Sequence, residues 1–77
     1  MRVKIIVPYG CSHEKLDERG WVEMKENARV SDALKLIRCG KLKAKFLLVS
    51  VNGEKSELSR CLREGDVVGF FMPVSGG

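Results

Sequence analysis

Long apolar runs are missing from this sequence: the only early one, Ile5-Ile6-Val7, stops at Pro8. That is far short of a signal-peptide core or of the ~20 residues that span a bilayer. No membrane partner is expected, and the chain is expected to work in the cytoplasm. A CxxC pair is also absent, and the cysteine count is odd. Cys11, Cys39 and Cys61 therefore fit neither a disulfide framework nor a zinc ribbon. They read as reduced thiols, with Cys39 and Cys61 as small core residues. No Gly-rich phosphate loop, paired-carboxylate site or zinc-ligand spacing is present, so no bound cofactor and no metal are expected. His13 sits close to Cys11, but a catalytic Cys and His need an orienting third group and an enclosed pocket, and these two fall in a polar turn. Repeats and low-complexity stretches are lacking too, so the whole chain is one unit.

Aromatic residues make up only 6% of the chain, and none alternates with the lysines that gather at Lys35, Lys41, Lys43 and Lys45. A base-stacking surface needs that interleaving, so these lysines read as a solvated helix end and loop, and no nucleic acid is expected as a partner. The net charge of +4 is compatible with steering toward an acidic protein. With 77 residues, 44% of them hydrophobic and 31% charged, the chain makes one globular domain. Such a small domain buries only roughly 60% of its unfolded surface, which leaves little room for a deep enzyme cleft.

Val3, Ile5 and Val7 alternate with Lys4 and Ile6 and predict a first strand ended by Pro8. A turn-like segment follows, then a second strand around Trp21 to Lys25 with Val22 and Met24 on one face, paired to the first as a hairpin. Ser31 is the expected helix N-cap, Asp32 suits the positive helix end, and Ala33, Leu34 and Ile37 share a face, with Gly40 as the stop. No capping box is expected, because Leu34 stands three residues after Ser31. Phe46 to Val51 is the most apolar segment and reads as a central strand covered on both faces. Asn52-Gly53 is a strong hairpin signal that returns Glu54 to Ser56 beside it. Leu58 and Leu62 are expected to plug the core, and after the Arg63 to Asp66 turn a last strand runs from Val67 to Met72. This order predicts an α+β fold, a β-grasp: one main helix on a mixed sheet of four to five strands, with the first and last long strands adjacent and parallel.

The chemistry is expected at the end of the chain. The β-grasp domain is read as residues 1–73 and the tail as 74–77, a flexible diglycine tail. Pro73 biases Met72 to an extended conformation, so the tail should leave the sheet pointing outward. Four residues reach on the order of 13 Å, far enough to enter another protein's active site. Gly76 and Gly77 carry no side chains and can thread a narrow channel. A terminal carboxylate is ionised, with a reference pKa of ~3.5, and is a poor electrophile until activated. Adenylation by ATP would make it an acyl donor to sulfur or to an amine. Taken alone, a Gly-Gly end fits a frayed terminus equally well.

The context is more specific. Val51-Asn52-Gly53-Glu54, Leu62 followed by Glu64-Gly65-Asp66-Val67-Val68, and Phe71-Met72-Pro73-Val74-Ser75-Gly76-Gly77 together resemble the small subunit of molybdopterin synthase. That subunit is a sulfur carrier of the ubiquitin-like β-grasp type, related to the thiamine-pathway carrier. The resemblance implies that an ATP-dependent activating enzyme adenylates Gly77, that the glycine becomes a thiocarboxylate, and that the chain itself is no enzyme. Val74, Ser75 and Gly76 would be the threaded tail, inserted into the molybdopterin synthase large subunit or another acceptor enzyme. Phe71, facing outward if Val68 and Phe70 face inward, is a candidate docking anchor beside Pro73, or else is covered by the Cys11 to Glu18 loop. Met72 stands where that subfamily often has a second proline, and the Pro8 to Glu14 loop lacks its Arg- and Leu-rich segment, so a sulfur carrier for thiamine or for tRNA thiolation stays open beside the molybdopterin pathway. Two other functions fit the same residues: a ubiquitin-like modifier joined to proteins through Gly77, and a passive binding module that uses its basic face.

Overall fold

The computed structural model describes residues 1–40 and 44–73. Five strands, β1 (Arg2–Ile6), β2 (Trp21–Glu23), β3 (Leu48–Val51), β4 (Glu54–Lys55) and β5 (Val67–Phe71), form one sheet in the order β2-β1-β5-β3-β4, with α1 (Val30–Leu36) between β2 and β3 in the chain. β1 pairs antiparallel with β2, as the hairpin reading required, and parallel with β5, in the register Lys4↔Val67 to Ile6↔Gly69. The first and last strands thus lie side by side in the middle of a mixed sheet. This is the ubiquitin-like β-grasp.

The alternation in the strands decides which face is the core. Val3, Ile5, Val51, Val68 and Phe70 point to one side, and Val30, Ala33 and Ile37 of the helical segment, spaced for one helical face, close over them. All eight are at most 2% exposed, and burying a large side chain of this kind is worth roughly 1.5–3 kcal/mol. Leu62 joins them from the connection before β5. Leu58 does not: it is an exposed residue, because its segment turns at the surface, where its carbonyl accepts the Ser31 N–H.

The helix N-cap lies two residues before Ser31. Arg29 is the N-cap, and the Asp32 carboxylate reaches back to accept its backbone N–H at 2.8 Å. Half of a capping box is therefore present, supplied by Asp32; the guanidinium of Arg29 has no acceptor atom to complete it. The end also comes early, since Ile37 is the C-cap and Arg38, with φ 46°, takes the left-handed position that Gly40 was expected to fill. Phe46 lies outside β3, and the strand is covered on one face only: Phe46 and Leu48 are both more than half exposed. The reason is topological, since β3 is next to the edge and α1 covers only the other face.

Candidate functional site

The described residues nearest the chain's end belong to β5 or directly follow it, so what fixes β5 matters first. Asn52 and Gly53 both adopt positive φ, 53° and 83°, as a tight hairpin turn demands. The Asn52 side chain then ties this turn to the start of β5. Its Nδ2 donates to Asp66 Oδ1 at 2.9 Å, and its Oδ1 accepts the Val67 N–H at 2.9 Å. Asp66 Oδ2 accepts the Arg63 N–H at 2.9 Å, and the Asn52 N–H donates to the Val67 carbonyl at 2.8 Å. Asp66 is only 9% exposed, yet both carboxylate oxygens are used.

Strand β5 then runs with Val68 and Phe70 in the core and Phe71 outward, 45% exposed. The registers Leu48↔Phe71 and Ile6↔Gly69 put Leu48 and Ile6 on the same outer face, both also exposed. Gly69 is buried although it faces outward, because the Phe71 ring folds back over it: a Cβ at Gly69 would stand 2.6 Å from ring atom Cε2. The glycine is a seat for the ring. Around this apolar patch the same face carries Lys4 and Lys55, and the Arg2 guanidinium lies 5.7 Å over the Trp21 ring. Sequence reading singled out Phe71 and missed Ile6, Leu48 and Gly69. A glycine inside a strand pattern was the available signal, since it marks a close approach.

Pro73 is exposed just past β5. Val74, Ser75, Gly76 and Gly77 lie outside the described residues, as do Lys41 and Lys43 of the lysine group. Lys35 and Lys45 are exposed.

The loop after β1 does not cover Phe71. Cys11 is joined by a disulfide to Cys39, and the Ser12 N–H donates to the Ile37 carbonyl at 2.7 Å, which hold the loop to the helix side. This corrects the reading of three reduced thiols. Counting cysteines cannot show that the segment after β1 and the end of α1 meet in space. Cys61, expected in the core, is instead an exposed free thiol in an isolated bridge with Arg29. The loop closes through Asp17, whose Oδ1 accepts the Trp21 and Arg19 N–H groups at 2.8 and 2.9 Å. The hydrogen bond from Trp21 and then that from Arg19, helped by the nearby Arg2 guanidinium, hold this carboxyl below its usual value, partly offset by desolvation.

Among the described residues, no group of three His, Cys, Asp or Glu side chains is placed to hold a metal, and no helix is long and apolar enough to cross a membrane. His13 is exposed, and its neighbour Cys11 is tied up in the disulfide. A shallow groove of about 410 Å³ beside α1, between Met24, Ala28, Asp32 and Leu36, lies on the helix side of the sheet, away from Phe71. Among the described residues, what lies beside the exit of β5 is an apolar face with a cationic rim.

The comparisons with known proteins bear on the same stretch. Residues 13–77 match the ThiS family. Over its full length the chain is similar to the crystal structure of SAMP1 from Haloferax volcanii, with a TM-score of 0.64 and 28% identity over 98% of that chain. No match was found among curated protein sequences.

Proposed function

Because this chain belongs to the ThiS family of ubiquitin-like sulfur carriers, we propose that Gly77 is its working residue, adenylated and then converted to a thiocarboxylate that donates sulfur in cofactor biosynthesis. The observation that carries this reading is that the family match runs through Pro73-Val74-Ser75-Gly76 to Gly77. The chemistry follows from the carboxylate. Its oxygen attacks the α-phosphorus of ATP, pyrophosphate leaves, and a sulfur nucleophile then displaces AMP from the acyl carbon. The chain is the co-substrate, and the groups that polarise ATP and hold the sulfur belong to its partners. Those partners are an ATP-dependent activating enzyme and an acceptor enzyme, with the large subunit of molybdopterin synthase as the leading acceptor. The exposed apolar face supports this division of labour: Phe71, with Ile6 and Leu48 beside it, is the docking anchor, Pro73 directs the chain outward, and Val74, Ser75 and Gly76 thread into the partner. The expected place of work is the cytoplasm, where ATP and the activating enzyme are found.

The test is to incubate the full chain with ATP and its cognate activating enzyme and to follow pyrophosphate release and the intact mass. An adenylate on Gly77, then one oxygen replaced by sulfur when sulfide is added, or a persulfide donor together with a thiol that cleaves the resulting acyl disulfide, is the expected result. Deletion of Gly77 is expected to abolish both while leaving the melting temperature nearly unchanged, because a terminal residue contributes few contacts. Activity that survives the deletion refutes the proposal. A second reading, a modifier joined to lysines through the same glycine, is favoured by the likeness to SAMP1 over the full chain. It predicts conjugates of higher mass in cell extracts that vanish with Gly77.

A further inference from the structure

Cys11 and Cys39 are 28 residues apart in the chain, and their Cα atoms are 4.6 Å apart across the disulfide. Neither is fully buried, so a small thiol can approach from solvent. The bridge also has a particular address. β1 and β5 are parallel, so the segment after Ile6 and the segment after Phe71 leave the same end of the sheet. Leu48, paired with Phe71, begins β3 at that end, and the end of α1 is held there by Cys39 and by the Ile37 carbonyl. The cross-link therefore ties together the elements that surround the exit of β5.

We propose that Cys11–Cys39 is a thiol–disulfide exchange site that sets the order of this end of the domain; its functional consequence, control over activation of Gly77, rests on the carrier reading above. The exchange balances with a dithiol as reductant. One thiolate of the dithiol attacks a bridge sulfur and forms a mixed disulfide, and its second thiol displaces that sulfur. The dithiol leaves as a cyclic disulfide, and its two protons end on Cys11 and Cys39. A low-molecular-weight disulfide as oxidant reverses the process: the two cysteine thiols are oxidised and two small thiols are released. Cys61 takes no part within the molecule. It bridges to Arg29 at the opposite end of α1, and seven helical residues alone span about 10 Å.

With the bridge cut, the Ser12 N–H keeps its bond to the Ile37 carbonyl and Leu16 still packs on the core, while His13, Glu14 and Lys15 between them stand exposed. Such a segment opens locally at little cost. The closed form is the pre-organised one for a partner that docks around the β5 exit, since ordering the loop is then no part of binding.

The experiment uses the full chain, as obtained without reductant in air or reduced with dithiothreitol. Thiol titration under native conditions is expected to find Cys61 alone in the oxidised chain and all three cysteines after reduction. In the adenylation assay, the reduced chain and the Cys11→Ser/Cys39→Ser variant are expected to show a KM for the activating enzyme raised roughly tenfold with kcat unchanged. The Cys61→Ser variant should behave as the parent. Circular dichroism of the reduced chain and of the double variant, below their melting temperatures, shows that the fold is kept. Three titratable thiols in the oxidised protein overturn the exchange site itself, and equal KM values in both redox states overturn its link to activation. A chain that accepts AMP in neither state overturns the carrier reading and the link with it, while the thiol count still decides the exchange site.

Discussion

Asp66→Ala removes one carboxylate that accepts two hydrogen bonds, from Asn52 Nδ2 and from the Arg63 N–H, each at 2.9 Å. A hydrogen bond to a charged acceptor is worth about 1.5 kcal/mol or more, and both donors lie in part-buried surroundings that water fills poorly, so the loss is about 3 kcal/mol. Each kcal/mol shifts the melting temperature of a domain this size by about 4–8 °C, which puts the variant roughly 12–24 °C below the parent. Asp66→Asn is expected to fall between the two: its amide oxygen still accepts one donor, but its NH₂ faces the other. Urea unfolding followed by circular dichroism gives the free energy, with an unchanged slope if only the native network is lost. Because the network anchors β5 without touching the outer face, the adenylation rate well below the melting temperature should match the parent. An Asp66→Ala variant within about 0.5 kcal/mol of the parent would mean that the Asn52 turn holds β5 unaided, and the reasoning fails.

Phe71→Arg is expected to weaken binding to the activating enzyme by roughly thirtyfold, the loss of one anchor of about 2 kcal/mol, with the far-ultraviolet spectrum unchanged; titration calorimetry measures it. Gly69→Ala drives a methyl group into the Phe71 ring and should displace the ring, costing about 1–3 kcal/mol in stability and also weakening docking; a Phe71 proton spectrum identical to the parent's refutes the seat. The lowered folded-state pKa of Asp17 means that the unfolded chain binds more protons in acid. Its stabilising effect is complete above about pH 3.8 and disappears as pH falls through the lower folded value. Unfolding midpoints of the parent should therefore drop more steeply below pH 4 than those of Asp17→Asn, and parallel profiles rule that out.

Much of the fold was legible because it rests on short-range rules. Alternation in residues 3–7 and 67–71 placed the buried and outward faces of β1 and β5, and Asn52-Gly53 marked the β3–β4 hairpin. Most of the misses share one cause, which is that partners distant in the chain decide them. Arg29 caps the helix because Asp32, three residues on, reaches back, and because the segments around residues 29 and 61 pair, and that second contact no local pattern announces. Phe46 and Leu48 are apolar enough for a central strand, but sheet order leaves their outer side uncovered. Leu58 and Leu62 look alike in sequence, and only Leu62 points to the core. Of the candidate site, Phe71 was visible from parity along its strand. Its neighbours Ile6 and Leu48 required the inter-strand register, and the cross-link required knowing that two loops converge.

The parallel pairing of Lys4 with Val67 has a consequence for biosynthesis. β5, at the centre of the sheet, follows the other four strands in the chain, so β1 and β3 are made before the strand that joins them, and its pairing with β1 closes a loop of some sixty residues. A product truncated before that segment lacks the middle of its architecture and is open to proteolysis.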